Sequence, residues 1–259
     1  MGSRPTALVT GASSGIGAVF ADRLAASGHD LVLVARDGDR LRALAGRLTG
    51  RYGGRADVLV ADLTEPGELA TVERRCAAGV TILVNNAGFG TTGRFVERPV
   101  GPEAAQVQLH CAAVLRLTHA ALPAMLGQGH GAVVNVASVA GLIPAVSAPT
   151  YGATKAFEVF FSESLAEQLR GSGVRIQALC PGLTRTEFHD RAEQDVGSSP
   201  GWVWLSAERV VDESLRALAR GTVVCVPGRR YRALVAGAAV LPRSGARRLA
   251  GALAQRRSR

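Results

Sequence analysis

Short apolar runs alternate with longer segments of helical spacing along most of the chain. The runs are rich in β-branched residues and are mostly apolar on both sides; they cover residues 6–10, 30–35, 56–61, 81–85, 132–137, 174–180 and 222–226. Between them, apolar residues recur three or four positions apart, as at Leu41, Leu44 and Leu48, which is the spacing of one helical face. Strand alternating with helix predicts a parallel sheet that is covered by helices on both faces.

The alternation continues to residue 226 without an internal repeat or a low-complexity linker. It predicts one doubly wound α/β domain over residues 1–226, with a sheet of about seven strands. A basic, partly amphipathic extension over residues 227–259 follows. The chain has 259 residues, of which 47% are hydrophobic and 20% are charged, and this balance is typical of a globular protein with one large core.

The net charge of +9 is concentrated near the C-terminus. The 46 residues after Glu213 carry eleven arginines and no acidic residue, whereas residues 1–213 have a net charge of −2. We therefore expect no nucleic-acid binding by the body of the chain. Residues 233–241 are uncharged, but nine residues cannot cross a bilayer that needs about 20. Three interpretations of the extension stay open: a solvated tail, packing on a partner subunit, and peripheral membrane contact through a helix with Leu249 and Leu253 one turn apart.

The cysteines and the first strand bear on the cellular compartment. Four cysteines lie 35, 69 and 45 residues apart and form no cluster with histidine, so we expect no metal site and buried thiols in a reducing cytosol. The first predicted strand begins near Thr6, which predicts a cytoplasmic protein without a signal peptide. The 38 residues between Arg116 and Lys155 lack charge, but Asn135, three prolines and a polar cluster favour protein interior over a membrane span.

A glycine-rich turn follows the first predicted strand and precedes a helix. Its sequence is TGASSGIG, at residues 10–17. Glycines permit a sharp turn and let backbone N–H groups approach a pyrophosphate, and the helix N-terminus adds positive potential. The spacing GxxxGxG differs from the common GxGxxG, and an ordinary strand-to-helix turn stays open as an alternative. The candidate nucleotide contacts are Gly11, Ser13, Ser14, Gly15, Ile16 and Gly17.

The end of the second predicted strand indicates which dinucleotide fits. An NAD site places a carboxylate there for the ribose hydroxyl, whereas an NADP site places a cation there for the 2′-phosphate. The strand ends at Ala35, and Arg36 and Asp37 follow, so we predict NADP(H) with Arg36 as the contact. Two alternatives stay open: a shift of two residues would give the ribose to Asp37, or Arg36 is only solvated while Asp37 caps the next helix.

A tyrosine and the only lysine of the chain, Lys155, lie four residues apart in a predicted helix. This spacing places Tyr151 and Lys155 on the same helical face. A phenol with a pKa near 10 is a poor acid or base at neutral pH unless a neighbouring cation stabilises its phenolate. Every other positive side chain is an arginine, so a compact ammonium at this one position indicates chemistry rather than simple charge.

Six motifs together resemble the short-chain dehydrogenase/reductase family, in its compact branch. The resemblance covers roughly residues 7–226 and is specific because the order and spacing of the motifs agree. They are TGASSGIG at 10–17, Asp62-Leu63, NNAG at 85–88, Ser138 thirteen residues before Tyr151, YxxxK at 151–155 and PGLTRT at 181–186.

The resemblance implies a Rossmann-type oxidoreductase that transfers hydride between NADP(H) and a carbonyl or alcohol. Tyr151 would protonate the carbonyl oxygen, and Lys155 would lower the pKa of Tyr151 and bind the nicotinamide ribose. Ser138 would hydrogen-bond the substrate oxygen. Further residues would hold the adenine, line the cofactor cleft or meet the carboxamide: Asp62, Leu63, Asn86, Ala87, Gly88, Pro181, Gly182, Leu183 and Thr186.

One position departs from the family pattern. Where the family usually has an asparagine that bends the fourth helix and holds a water of the proton relay, this chain has His110. An imidazole can also hold a water and carry a proton near neutral pH. Two interpretations stay open: His110 works in the relay, or it is a core histidine with satisfied hydrogen bonds.

The family places its substrate-binding segment at residues 186–206, and few charged residues lie nearby in the sequence. We expect an uncharged, fairly apolar ketone or secondary alcohol, although the same aromatic residues would also suit a core or a subunit contact. The candidate wall residues are Phe89, Leu142, Ile143, Val146, Phe188, His189, Trp202 and Trp204.

Two functions remain in competition. The favoured one is a ketoreductase, because NADPH favours reduction, and the resemblance implies a homodimer or homotetramer. The alternative is an NADP(H)-binding sensor or scaffold with weakened catalysis. His110 is the only support for the alternative, and the complete set of Ser138, Tyr151 and Lys155 argues against it.

Overall fold

Nine strands form two sheets in the computed structural model, which describes residues 4–91, 93–188 and 200–240. The strands are β1 (Thr6–Thr10), β2 (Asp30–Ala35), β3 (Ala56–Val60), β4 (Ile82–Asn85), β5 (Gly131–Val136), β6 (Val174–Leu179), β7 (Thr184–Arg185), β8 (Leu205–Ser206) and β9 (Val224–Cys225). Seven of them make one parallel sheet in the order β3-β2-β1-β4-β5-β6-β9, and β7 pairs with β8 alone. The predicted seven-stranded parallel sheet is therefore confirmed.

Eight α-helices surround the sheet in the described part of the chain. They are α1 (Gly15–Ala26), α2 (Gly38–Tyr52), α3 (Pro66–Ala77), α4 (Val100–Val107), α5 (Val114–Gln128), α6 (Pro149–Gln168), α7 (Ala207–Ala219) and α8 (Arg229–Val240). A π-helical turn, Gln108–Ala113, joins α4 to α5. The helices α1, α2 and α7 pack on one face of the sheet, and α3, α5 and α6 pack on the other. This confirms the predicted doubly wound α/β fold.

Alternate residues of the central strands enter two separate cores. In β1, Leu8 packs with α3 and α5, whereas Val9 packs with α1 and α2. In β2, Val34 lies in the same core as Leu8, and Leu33 lies in the same core as Val9. All four side chains are fully buried. This two-sided burial explains why the strands are apolar throughout rather than alternating with polar residues.

The topology places the ends of β1, β4 and β5 side by side. From β1 the sheet grows toward one side through β2 and β3. From β4, which lies on the other side of β1, it grows in the opposite direction through β5, β6 and β9. At such a switch point the connections leave on opposite faces and open a crevice beyond the carboxyl ends of the strands. The segments that follow Thr10, Asn85 and Val136 therefore meet at one edge of the sheet.

One continuous helix, Val100–Gln128, is long and apolar enough by length and composition to span a membrane, and it is the only one in the described part of the chain. Its inner side contributes Leu109, Leu117 and Met125 to the core beside α3. The core helix of a folded domain satisfies the same two criteria.

The beginning of the C-terminal extension packs on the domain. Tyr231 of α8 joins the core formed by α1, α2 and α7. The segment around Leu249 and Leu253, for which peripheral membrane contact is one of three open interpretations, lies outside the described residues, so the three interpretations stay open.

Candidate active site

The glycine-rich turn between β1 and α1 is held against the segment that follows β4. The Asn86 side-chain amide donates to the backbone oxygens of Thr10 (2.9 Å) and Gly11 (3.1 Å), and the Thr10 hydroxyl accepts from the N–H groups of Asn86 and Ala87. A Cβ on Gly11 would lie 2.7 Å from this amide nitrogen, and a Cβ on Gly17 would collide with the Gly11 carbonyl. The glycines are thus required by close packing of the turn itself, in addition to their expected role toward a ligand.

The N-terminus of α1 directly follows the glycine-rich turn and has no side-chain cap, a feature that it shares with α3, α4 and α6. Its N-cap residue, Ser14, makes no side-chain capping bond, and the first turn contains no acidic residue. In contrast, α2 is capped by Asp37 and α7 by Ser206. The first N–H groups of a helix need acceptors from elsewhere, and a phosphate is a suitable one.

Arg36 follows β2 with its side chain 74% exposed, and its Nη1 lies 3.7 Å from Asp62 Oδ2. Asp37 is engaged differently, because its carboxylate accepts from the Arg40 N–H (3.0 Å) and caps α2. This contact favours the predicted assignment of Arg36, rather than Asp37, to the ribose end of a dinucleotide.

Asp62 stays ionised at the end of β3. Its partial burial raises the pKa of the carboxyl, but the hydrogen bonds from Thr64 and the charge of Arg36 outweigh this, so the pKa lies below the usual value. The neighbouring Leu63 is buried in the core. The assignment of Asp62 and Leu63 to an adenine site stays a prediction.

Ser138, Tyr151 and Lys155 come together as the sequence predicts. Ser138 follows β5, where its hydroxyl accepts from the Ala140 N–H (3.1 Å) and lies close enough to the Tyr151 phenol to affect the pKa of that phenol. The Lys155 ammonium lies 5.8 Å from the centre of the Tyr151 ring. Burial raises the pKa of the phenol, whereas the Lys155 charge and the nearby Ser138 hydroxyl lower it. Lys155 thus acts in the predicted direction, but burial is the larger effect and the net pKa shift is upward.

The Lys155 ammonium is also held from inside the protein. Its Nζ donates to the Val136 carbonyl and to Glu158 Oε1, both at 2.8 Å, and the two charged side chains are almost completely buried. Burial raises the pKa of the Glu158 carboxyl to about 7, and the Lys155 charge opposes this rise. Sequence reasoning missed Glu158, although its position three residues after Lys155 on a helix could have signalled an ion pair.

Both ring nitrogens of His110 have protein partners. The Phe89 N–H donates to Nε2 (3.2 Å), and Nδ1 lies 2.9 Å from the Thr154 hydroxyl, which itself donates to the Tyr151 carbonyl. Burial and then the Lys155 charge keep the pKa of this fully buried ring well below its usual value. Nδ1 therefore carries the proton that is donated to Thr154. The arrangement favours a core histidine that positions the start of α6.

The segment after β6 is fixed by a residue of the extension. Tyr231 places its ring over Gly182, where a Cβ would collide with it. Its hydroxyl accepts from the Leu183 N–H and donates to the Val203 carbonyl, both at 2.9 Å. Pro181 accepts from the Val139 N–H (3.0 Å). Sequence reasoning missed Tyr231, because nothing in a basic tail indicates that this aromatic residue turns back onto the site.

Several predicted wall residues lie near the catalytic group. Phe188 packs against Tyr151 with ring centres 5.8 Å apart. A cavity of about 770 Å³ lies between α6 and α8, and Leu142, Ile143 and Val146 are among its apolar lining residues. Neither Ser138 nor Tyr151 lines this cavity, so it adjoins the predicted catalytic residues rather than containing them.

The remaining wall residues are placed differently. Phe89 contacts the His110 ring, with ring centres 6.0 Å apart. Trp202 is mostly exposed and stacks on Arg230, whose guanidinium carbon lies 4.9 Å from the ring centre. Trp204 follows the short helical turn that contains Trp202, and His189 lies outside the described residues.

The sequence matches the family described as short chain dehydrogenase over residues 5–197. The chain therefore belongs to the short-chain dehydrogenase family of oxidoreductases. Among curated relatives, the very-long-chain 3-oxoacyl-CoA reductase of Anas platyrhynchos is 32% identical over 191 residues, which cover 70% of this chain and 60% of that relative. The chain thus spans less than two thirds of the length of that relative.

Solved structures agree with this family and with the fold. The short-chain dehydrogenase from Sphingobium yanoikuyae in complex with NADPH has 43% identity and a TM-score of 0.83, with 90% of this chain and 93% of that chain covered. The bulky-bulky ketone specific alcohol dehydrogenase from Comamonas testosteroni has 38% identity and a TM-score of 0.79, covering 90% and 91%. A Burkholderia phymatum member with 26% identity and a TM-score of 0.79, covering 90% and 92%, is bound to NAD.

Proposed function

We propose that this protein is an NADP(H)-dependent ketoreductase that acts on an uncharged, fairly apolar ketone or secondary alcohol. The observation that carries the proposal is the cluster in which the Lys155 ammonium, itself buried, lies 5.8 Å from the centre of the Tyr151 ring, with the Ser138 hydroxyl close to the phenol. The cluster lies at the edge of the sheet where the glycine-rich turn and Asn86 also lie.

The residues present fit a dinucleotide phosphate. The uncapped N-terminus of α1 suits the pyrophosphate, and the exposed Arg36 guanidinium suits a 2′-phosphate. When bound, NADPH would supply the hydride, since cofactors of this type carry the redox chemistry and the protein orients them. Other contacts would come from Asp62, Leu63, Ala87, Gly88 and the segment 181–186.

The proton is handled by three side chains of this chain. Tyr151 would donate its phenolic proton to the carbonyl oxygen during reduction, and Ser138 would hydrogen-bond that oxygen and hold it near the phenol. The Lys155 ammonium would stabilise the phenolate that remains. In alcohol oxidation the same phenolate would accept the proton.

The preference for an apolar substrate rests on the wall residues. Phe188 packs on Tyr151, and the described lining of the adjoining cavity contains no charged side chain. Apolar walls with a few polar groups are typical of sites for small organic ligands. The similar Comamonas testosteroni enzyme is named for bulky ketones.

A relay role for His110 stays a prediction. With both nitrogens engaged by Phe89 and Thr154, we propose that His110 holds the backbone just after the NNAG segment against α6. This role would hold Tyr151 in position near the start of α6. It gives no support to the alternative of a sensor with weakened catalysis.

Assembly and location follow as proposals from the same family likeness. Phe160 on α6 is 72% exposed, and Leu115 and Leu126 on α5 are also exposed. Exposed apolar residues on neighbouring helices are typical of subunit contacts, which supports the predicted homodimer or homotetramer. We propose a cytoplasmic enzyme.

A panel of carbonyl compounds tests the function. We expect NADPH consumption with bulky apolar ketones, and less with charged keto acids, because the described walls offer no charged partner. Cofactor oxidation with NADPH and with NADH, followed by product analysis, measures this. NADPH binding without turnover on any ketone would instead indicate the sensor or scaffold.

Arg36→Ala tests the cofactor preference. A charge-assisted hydrogen bond contributes about 1.5 to 3 kcal/mol, so the variant should bind NADPH roughly ten- to hundredfold more weakly and bind NADH almost unchanged. Titration of cofactor fluorescence measures both affinities. Arg47→Ala, which removes an exposed arginine further along α2, is the matched control. Equal losses for NADPH and NADH in Arg36→Ala would refute the assignment.

A further inference from the structure

A buried carboxylate next to the catalytic lysine has no part in the mechanism above. Glu158 lies one helical turn after Lys155 on α6, and its side chain is 2% exposed. Its Oε1 accepts from Lys155 Nζ at 2.8 Å, while Oε2 finds no hydrogen-bond donor among the residues that the structure describes. A buried carboxylate with a free oxygen is costly, so this one calls for an explanation.

The surroundings of Glu158 leave Lys155 as its only charged neighbour in the described part of the chain. Cys111 and His110 face this region from the π-helical turn, and Cys180 faces it from the end of β6. Burial raises the pKa of Cys111 to about 11, raises that of Cys180 further and lowers that of His110. All three groups are therefore neutral near pH 7.

On the basis of the proposed function, we propose that Glu158 is a positioning residue that anchors the Lys155 ammonium and offsets the charge that Lys155 presents to the Tyr151 phenol. The anchoring follows from the geometry, since Nζ is held between Glu158 Oε1 and the Val136 carbonyl. The offset follows from the sign of the charges, because an anion beside the cation disfavours the phenolate that the cation stabilises.

The position of Glu158 makes this offset dependent on pH. Because burial raises the pKa of its carboxyl to about 7, Glu158 takes up a proton in the neutral range. Below that pH, Lys155 acts on Tyr151 without an opposing charge; above it, the two charges oppose each other. The Tyr151 phenol would therefore lose its proton more easily when Glu158 is protonated than when Glu158 is charged.

Glu158→Gln tests the offset in the enzyme. Glutamine keeps the size and an oxygen acceptor for Nζ but removes the charge, so the Tyr151 phenolate should form more readily. Where the acid limb of the pH profile of kcat for alcohol oxidation lies above pH 7, so that Glu158 is charged, the limb should move by roughly one pH unit toward lower pH, within the range expected for a neighbouring charge. Glu163→Gln makes the same change at an exposed position of α6 and should leave the profile unmoved.

A second measurement needs neither cofactor nor turnover. Lys155 is the only lysine of the chain, so lysine labelled with ¹³C at Cε gives one side-chain NMR resonance, which belongs to Lys155. In the unaltered protein we expect this resonance to shift with an inflection near pH 7, where the Glu158 carboxyl titrates. The inflection should vanish in Glu158→Gln and persist in Glu163→Gln.

Each result decides the proposal. An inflection that is absent from the unaltered protein, or that persists in Glu158→Gln, would overturn it, as would an unmoved pH profile with lower thermal stability alone. If Glu158→Gln does not fold, Glu158→Met supplies an uncharged side chain of similar length for the same measurements. If no alcohol is oxidised, the proposed function fails, and the Lys155 resonance still decides the role of Glu158.

Discussion

Tyr151→Phe is expected to lower kcat by about two to four orders of magnitude, the range for loss of a general acid, with NADPH affinity unchanged. The ring stays in place, because its contacts with Phe188 and His110 do not involve the hydroxyl. The proton that Tyr151 would give to the carbonyl oxygen is lost, and the Ser138 hydroxyl alone cannot replace it near neutral pH. Steady-state kinetics and cofactor titration together measure the two effects.

The control for this variant is Tyr52→Phe. Tyr52 lies at the end of α2, and its hydroxyl bonds to Asp22 at 3.2 Å, so the same chemical change is made away from the site and should leave kcat unaltered. If Tyr151→Phe keeps more than a few percent of turnover, either the substrate is not a carbonyl or the proposed role of Tyr151 is wrong.

The fold could be predicted from the sequence because the strands of the main sheet stand out as short, mostly apolar runs. Two-sided burial favours apolar residues on both faces of the central strands β1 and β2, and the helices that follow repeat apolar residues every third or fourth position. The pair of β7 and β8 could not be predicted, since a two-residue strand has no period. The last strand of the main sheet is likewise shorter than its apolar run, at Val224–Cys225 instead of 222–226.

The catalytic cluster could be predicted because its members lie at fixed spacings within one strand end and one helix. What could not be predicted depends on contacts between distant segments. The partners of His110 come from Phe89 and from Thr154, which is 44 residues away. Tyr231 reaches Leu183 across 48 residues. No local pattern marks such pairs, and only the packed domain shows that the His110 ring has both nitrogens occupied.

The net pKa of Tyr151 could not be predicted for a related reason. The sequence shows Lys155 four residues after Tyr151, and a positive charge lowers the pKa of a nearby phenol. The opposing effect of burial depends on the whole environment of the phenol, and here it is the larger one. The sequence therefore predicts that Lys155 lowers the pKa of Tyr151, but it does not predict whether that effect or burial is larger.

Lys155→Arg is expected to abolish most turnover although it keeps the positive charge. The ammonium occupies a buried space between the Val136 carbonyl and Glu158, and a planar guanidinium has a different size and donor geometry. We expect a loss in kcat of about a hundredfold or more, the range for loss of acid-base assistance. Steady-state kinetics measure it, with circular dichroism to confirm the fold.

Lys155→Met separates catalysis from stability when it is compared with a double variant. Alone it removes the ionic partner of Glu158, and breaking a buried ion pair costs up to about 3 to 5 kcal/mol of unfolding free energy at a pH where the Glu158 carboxyl is ionised. Lys155→Met combined with Glu158→Met replaces the pair by apolar side chains of similar length, and such replacements are often neutral. We expect the double variant to recover thermal stability but not turnover. Recovery of turnover in the double variant would mean that Lys155 only balances Glu158, and the proposed role of its ammonium toward Tyr151 would be wrong.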